Sequence, residues 1–109
     1  MAYDESLAAR IRAALASRSA IEERRMFGGL AFLVRGNMCC GVAGDSLVLR
    51  LGNDGAAKAL GEPHVRPMDF SGKPMKSMVY VGPDGIAAAA DLARWLERAV
   101  AFVQTLPAK

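Results

Sequence analysis

The sequence predicts an α+β fold, an antiparallel sheet of about four to six strands with a central meander, packed on an N-terminal helix, a short middle helix and a long C-terminal helix. Three observations carry this. Apolar residues recur at spacings of three and four near both ends of the chain. Between them the spacing changes to two, and Gly-Asn and Gly-Asp cut that region into strand-length pieces.

The first helix runs from Asp4 towards Arg18. Leu7, Ile11, Ala14 and Leu15 line one stripe, Asp4 is the N-cap, Arg10, Ser17 and Arg18 face water, and Ser19 begins the exit. In "RRMFGGLAFLVRGNMCCGVAGDSLVLRL" the pair Gly44-Asp45 suits a two-residue hairpin turn. That turn sets Val42 opposite Leu47, Cys40 opposite Leu49 and Met38 opposite Leu51, six apolar side chains on one face. The alternate set, Cys39, Gly41, Ala43, Ser46, Val48 and Arg50, is small or mixed. A three-residue loop Arg35-Gly36-Asn37 pairs Val34 with Met38 and adds Leu30 and Phe32 to the apolar face; a two-residue loop would bring Leu33 and Ala31 there instead. Gly28-Gly29 interrupts the strand pattern and is read as a β-bulge, ahead of a close backbone approach or a bend.

Asn53 and Asp54 are capping residues for a short helix over Gly55 to Leu60, which Gly61 and Pro63 end. "EPHVRPMDFSGKPMK" contains Pro63, Pro67, Gly72 and Pro74 and reads as loop-rich; "SMVYV", Ser77 to Val81, reads as a strand, and Gly82 to Gly85 as a turn. From Ile86, the stripe Ala88, Leu92, Trp95, Leu96, Ala99, Phe102, Val103 and Leu106 marks the longest helix, stopped by Pro107. The helices are expected on the Leu47/Leu49/Leu51 side of the sheet.

A chain of 109 residues with 52% hydrophobic and 23% charged residues has the size of one domain, residues 1–109, and enough apolar surface to offset its ordering entropy. The net charge of +3 is spread from Arg10 to Lys109, and the one dense cluster, Arg24-Arg25, follows Glu22-Glu23. This describes a mixed-charge surface better than a nucleic-acid groove. "MAYDES" has no signal-peptide character, and no apolar run nears the roughly 20 residues that span a bilayer. The expectation is a cytoplasmic protein, off the membrane, with reduced cysteines.

The residue spacing fits no phosphate-binding, metal or nucleophile signature. Gly72-Lys73 is followed by Pro74, and Pro67 stands where a P-loop needs its first glycine. "FGGLAFLVRG" lacks the dinucleotide-binding glycine spacing. Cys39 and Cys40, as neighbours on a strand, should point apart, and His64 alone cannot complete a zinc site. No catalytic, cofactor or metal residues are therefore assigned. Cys39, on the small-residue face near Arg35 and Arg50, is the better thiol candidate, behind the reading of an inert, buried or semi-buried cysteine that acts as a small hydrophobe. Met68, Met75 and Met78 near Lys73 and Lys76 are candidates for an adaptable, basic-rimmed contact surface, against the more frequent role of methionine as gap-filling core.

"RRMFGGLAFLVRGNMCCGV", "RPMDFSGKPMKSMVYV" and "LARWLERAVAFVQTLP" together resemble the TfoX/Sxy N-terminal domain family, named for bacterial competence regulators. Arg25, Met26, Phe27, Gly28 and Gly29 match its Arg-Met-Phe-Gly-Gly motif, Met38 to Val42 its strand motif, and Asp69 to Lys76 its loop motif. The resemblance implies a compact α+β domain and supplies no catalytic residues. Longer competence regulators carry a second, C-terminal domain, so a chain ending at Lys109 is expected to be a stand-alone domain. The reading is a non-enzymatic regulatory or protein-interaction module whose partner is an unidentified protein or a second copy. Its candidate residues are Arg25, Met26, Phe27, Gly28, Gly29, Cys39, Gly41, Asp69, Lys73 and Lys76. The alternatives are a thiol enzyme or redox sensor centred on Cys39, and a weak nucleic-acid-binding regulator.

Overall fold

The computed structural model describes residues 3–16, 21–26, 28–70 and 73–107, with the side chains of residues 69–70 and 73–75 outside that description. Asp4 caps α1 (Glu5–Ala14), its carboxylate accepting from the Ser6 and Leu7 amides at 2.9 and 3.2 Å. Leu7, Ala8, Ile11 and Leu15 are buried, whereas Ala14 is exposed, so the stripe turns one residue from the expected one. Arg10 is half-buried, donating to the Ile86 carbonyl at 2.6 Å. Ser17, Arg18 and Ser19 lie outside the described residues.

Six strands follow: β1 (Ile21–Met26), β2 (Gly29–Val34), β3 (Asn37–Ala43), β4 (Ser46–Arg50), β5 (Val65–Phe70) and β6 (Lys73–Val81). They form one antiparallel sheet in the order β1-β2-β3-β4-β6-β5. The Gly44-Asp45 hairpin has the expected register, with Val42 opposite Leu47 and Cys40 opposite Leu49, and Gly44 supplies the positive φ of +58°. The turn before β3 is shorter than expected. Arg35 and Gly36 alone make it, both at positive φ as a type I′ turn requires, and Val34 pairs with Asn37.

The residue missing from that turn reappears within β3. Phe32 pairs with Cys40 and Leu33 with Met38, which leaves Cys39 as the extra residue of a β-bulge. Leu30 and Phe32 thus keep the partners that the longer loop would have given them. Met38 does not: it moves to the opposite face from Cys40, Val42, Leu47, Leu49 and Leu51, correcting the expectation that all six share one side. Gly28-Gly29 is no bulge either. Met26 pairs directly with Gly29, and Gly28 lies in the turn between β1 and β2 at φ +73°. Gly29 lies against the β3 backbone, where a Cβ would overlap the Val42 carbonyl oxygen.

The segment read as loop-rich contains β5 and the start of β6, from Lys73 to Lys76. Pro67 is tolerated because β5 is an edge strand. Pro74 is tolerated because β6 pairs with β4 only from Met78 to Val81 and is free on that side at Pro74. The middle helix, α2 (Gly52–Ala59), begins before Asn53 and Asp54 and has no side-chain cap. Gly52, at φ +78°, opens it because a Cβ there would come 2.5 Å from the Phe102 ring. After a 3-10 turn, α3 (Ala89–Val103) starts later than expected, leaving Ala88 exposed; Leu106 still packs on the core beyond its end.

All three helices cover the same side of the sheet. Leu7 and Ile11 of α1, Ala56 and Ala59 of α2, and Trp95, Leu96 and Val103 of α3 share a core with Phe32, Val42, Leu47, Leu49, Val79 and Val81. Full burial of such side chains contributes roughly 1.5–3 kcal/mol each before entropy is counted. No helix among the described residues is long and apolar enough to cross a membrane.

Candidate functional site

The face away from the helices is built from rows of paired residues. Register carries one row across all six strands, from Arg66 through Tyr80, Val48, Gly41 and Ala31 to Arg24. A second row pairs Met78 with Arg50 and, beyond the bulge, Met38 with Leu33 and Leu33 with Glu22. Gly41 and Ala31, on this face, are small and buried. Val48, Met68 and Met78 form a second buried cluster, with Met38, Ala43 and Tyr80 half-buried around it. This side is therefore neither bare nor covered by a helix.

Arginines fasten the rim of this face. Arg66 donates to Ser46 Oγ at 2.9 Å while its guanidinium lies 5.0 Å from the Tyr80 ring centre. Arg50 donates to the Met38 carbonyl at 3.4 Å and sits 5.9 Å from the Phe102 ring. Arg24 pairs with Glu22 on its own strand at 2.7 Å. Exposed pairs of this kind hold shape more than they stabilise, at about 0–1 kcal/mol each.

The bulge decides the thiol chemistry. Cys39 and Cys40 both lie in the helix-covered core with no solvent exposure, which corrects the reading of Cys39 as a small-face thiol near Arg35 and Arg50. The hydrogen bond of the Cys40 thiol with Cys39 and the burial itself push that thiol well above its ordinary value. A protonated, enclosed thiol is a poor nucleophile.

Of the motif residues, Arg25, Met26 and Gly28 are exposed at one end of the β1–β2 hairpin, and Gly29 is buried against β3. Phe27 lies outside the described residues, as do the side chains of Asp69, Lys73 and Met75. The backbones of Asp69 and Lys73 belong to the β5–β6 hairpin, and Lys76 is exposed on β6. Because β1 and β5 are opposite edges of the sheet, the Arg-Met-Phe-Gly-Gly segment and the Asp69–Lys76 segment do not converge on one centre. Gly41 is on the helix-free face but buried beneath its neighbours. Arg66, Tyr80 and Met38 escaped the sequence reading, because alternation within a strand does not reveal a bulge or an edge strand containing proline.

Hollows also lie elsewhere among the described residues. One of about 590 Å³ is bordered by Leu51, Gly52, Asp54, Ser77 and Phe102. Another of about 210 Å³ is lined by Glu62, His64, Asp84, Asp91, Arg94 and Trp95. In the latter, Arg98 and Arg94 hold Glu62 at 2.7 and 3.3 Å and lower its carboxyl pKa, chiefly through the Arg98 hydrogen bond. The guanidiniums of Arg98 and Arg94 lie 4.4 and 4.9 Å from the Trp95 ring, so this group fastens α3 to the loop before β5. No group of three or more His, Cys, Asp or Glu among the described residues could hold a metal ion.

The family model for the TfoX N-terminal domain matches residues 13–103. No curated protein and no solved structure gives a match.

Proposed function

We propose that this chain, which belongs to the TfoX N-terminal domain family, is a non-enzymatic regulatory module that acts by binding another protein through the helix-free face of its sheet. The observation that carries the reading is the composition of that face. Met38 and Tyr80 are half-buried there, Met26 is 38% exposed at its rim, and Arg24, Arg50 and Arg66 surround them. Methionine, tyrosine and arginine are the residue types enriched at protein interfaces, where methionine adapts to a partner's shape. The buried thiols weigh against an enzyme or sensor centred on Cys39.

The same arginines favour a protein partner over a nucleic acid. Phosphate binding draws on guanidiniums free to meet the backbone, whereas Arg24, Arg50 and Arg66 are already engaged by Glu22, the Met38 carbonyl and Ser46. The test uses Arg66→Glu, an exposed position on the edge opposite β1. Affinity purification from cells of the source organism should recover a specific protein with the wild-type chain and lose it with the folded variant. Equal recovery by both, or none by either, refutes the reading; retention on DNA that fades steeply with salt would replace it with the nucleic-acid alternative.

A further inference from the structure

We infer that β1 is a self-recognition edge, on which a second copy of this chain adds its own β1 antiparallel to form a continuous two-chain sheet. The inference goes beyond the protein-interaction reading above, because it uses the exposed edge of β1 and not the helix-free face. Strand β1 is hydrogen-bonded on one side only, to β2, and among the described residues no other backbone hydrogen bond reaches it. Its residues from Glu22 to Met26 are all exposed. The opposite edge is blunted: β5 carries Pro67 and a register break at Met68. The β1–β2 register is unbroken from Ile21 to Met26, and β1 contains no proline. Six strand residues extend about 20 Å, ample for specific pairing.

Backbone direction fixes which residues can pair. With Met26 opposite Gly29 as the closing, hydrogen-bonded pair of the hairpin, Arg24 and Glu22 also point their amides and carbonyls at β2. Ile21, Glu23 and Arg25 then point theirs outward. In a symmetric antiparallel pairing the twofold axis lies along the sheet normal, and residues opposite one another must belong to the same face. Centring that axis on Glu23 pairs Ile21 with Arg25 of the second copy and Glu23 with its equivalent. All outward groups are then used, in about six backbone hydrogen bonds.

The side chains fit the same register. The strand reads Ile-Glu-Glu-Arg-Arg-Met, and this arrangement sets Glu22 opposite Arg24 of the second copy twice on the helix-free face. The like charges meeting at the axis are compensated, because Arg12 of α1 grips each Glu23 at 2.6 and 2.8 Å. A run of uniform charge would repel a copy of itself, whereas this order attracts one. The symmetry also keeps all helices on one side and joins the two helix-free faces into one surface.

The full-length chain should show a concentration-dependent monomer–dimer equilibrium in sedimentation velocity between about 1 μM and 1 mM, the range of a small interface. The double variants Glu22→Arg/Glu23→Arg and Arg24→Glu/Arg25→Glu should each dimerise at least tenfold more weakly. Mixing them should restore association, because every cross-strand charge pair is then opposite. Arg25→Pro, which removes an outward amide that β2 does not use, should block pairing with the circular dichroism spectrum unchanged. A chain that stays monomeric throughout, or folded variants that dimerise like wild type, would overturn the inference. Partner capture sensitive to Arg66→Glu would survive either result, so the two readings fail separately.

Discussion

The adjacent glycines of the Arg-Met-Phe-Gly-Gly motif should respond very differently to one added methyl group. At Gly28 a Cβ meets nothing within 4 Å, and the only penalty of Gly28→Ala is the left-handed backbone at φ +73°, about 1–2 kcal/mol for a residue other than glycine. At Gly29 the Cβ falls inside the van der Waals sphere of the Val42 carbonyl oxygen, 3.0 Å from its carbon and 3.2 Å from the Ala43 Cα. Those atoms are backbone of a central strand, so β2 and β3 must separate by on the order of 1 Å in a close-packed interior. Overpacking of this kind costs about 3 kcal/mol or more, against a total stability of about 5–15 kcal/mol for a domain. Urea unfolding followed by the fluorescence of the single, buried Trp95 measures both variants. At about 4–8 °C per kcal/mol, Gly29→Ala should lower Tm by at least about 12 °C and Gly28→Ala by about one to two thirds as much. If Gly28→Ala proves the more damaging, or if Gly29→Ala is neutral, the close approach of β2 to β3 is wrong.

Other consequences are equally measurable. Leu49 has no exposed surface, so Leu49→Ala should cost about 2–5 kcal/mol and Leu49→Asp should leave no folded protein by circular dichroism. Native Cys39 and Cys40 should resist a thiol reagent and react only on unfolding; prompt modification of the folded chain would contradict their burial. Because the Cys40 thiol is raised in the fold, its contribution is intact below the unfolded value of about 9.0 and is lost as pH rises above it. Stability should therefore decline in alkali, and less so in Cys40→Ala, as a denaturant series across pH would show. Glu62 is shifted the other way: its contribution is present above the ordinary carboxyl value of 4.5 and is lost as pH falls through the lowered one. Glu62→Gln should cost at most about 1 kcal/mol at neutral pH and flatten the acid limb of the stability curve, since the pair is partly solvated.

Much of the fold could be read directly from residue order. Asp4 before an apolar stripe, Gly44-Asp45 between alternating runs, and the long stripe around Trp95 are local signals, set by short-range geometry wherever the chain goes. They suffice to predict an antiparallel sheet with three helices on its Leu47/Leu49 face. The candidate surface was less legible. Arg25, Met26 and Gly28 come from contiguous sequence, but Arg66 joins Tyr80 and Ser46 only through pairing between strands distant in the chain.

What the sequence determined by itself was periodicity: which segments are helical, which alternate, and which leucines must leave water. Tertiary structure alone decided where the extra residue between β2 and β3 would go. A three-residue turn and a two-residue turn followed by a bulge contain the same number of residues and both place Phe32 opposite Cys40. They differ in whether Met38 or Cys39 reaches the core, and that choice depends on packing against α3 and on the neighbouring strands' hydrogen bonds, which no local pattern encodes.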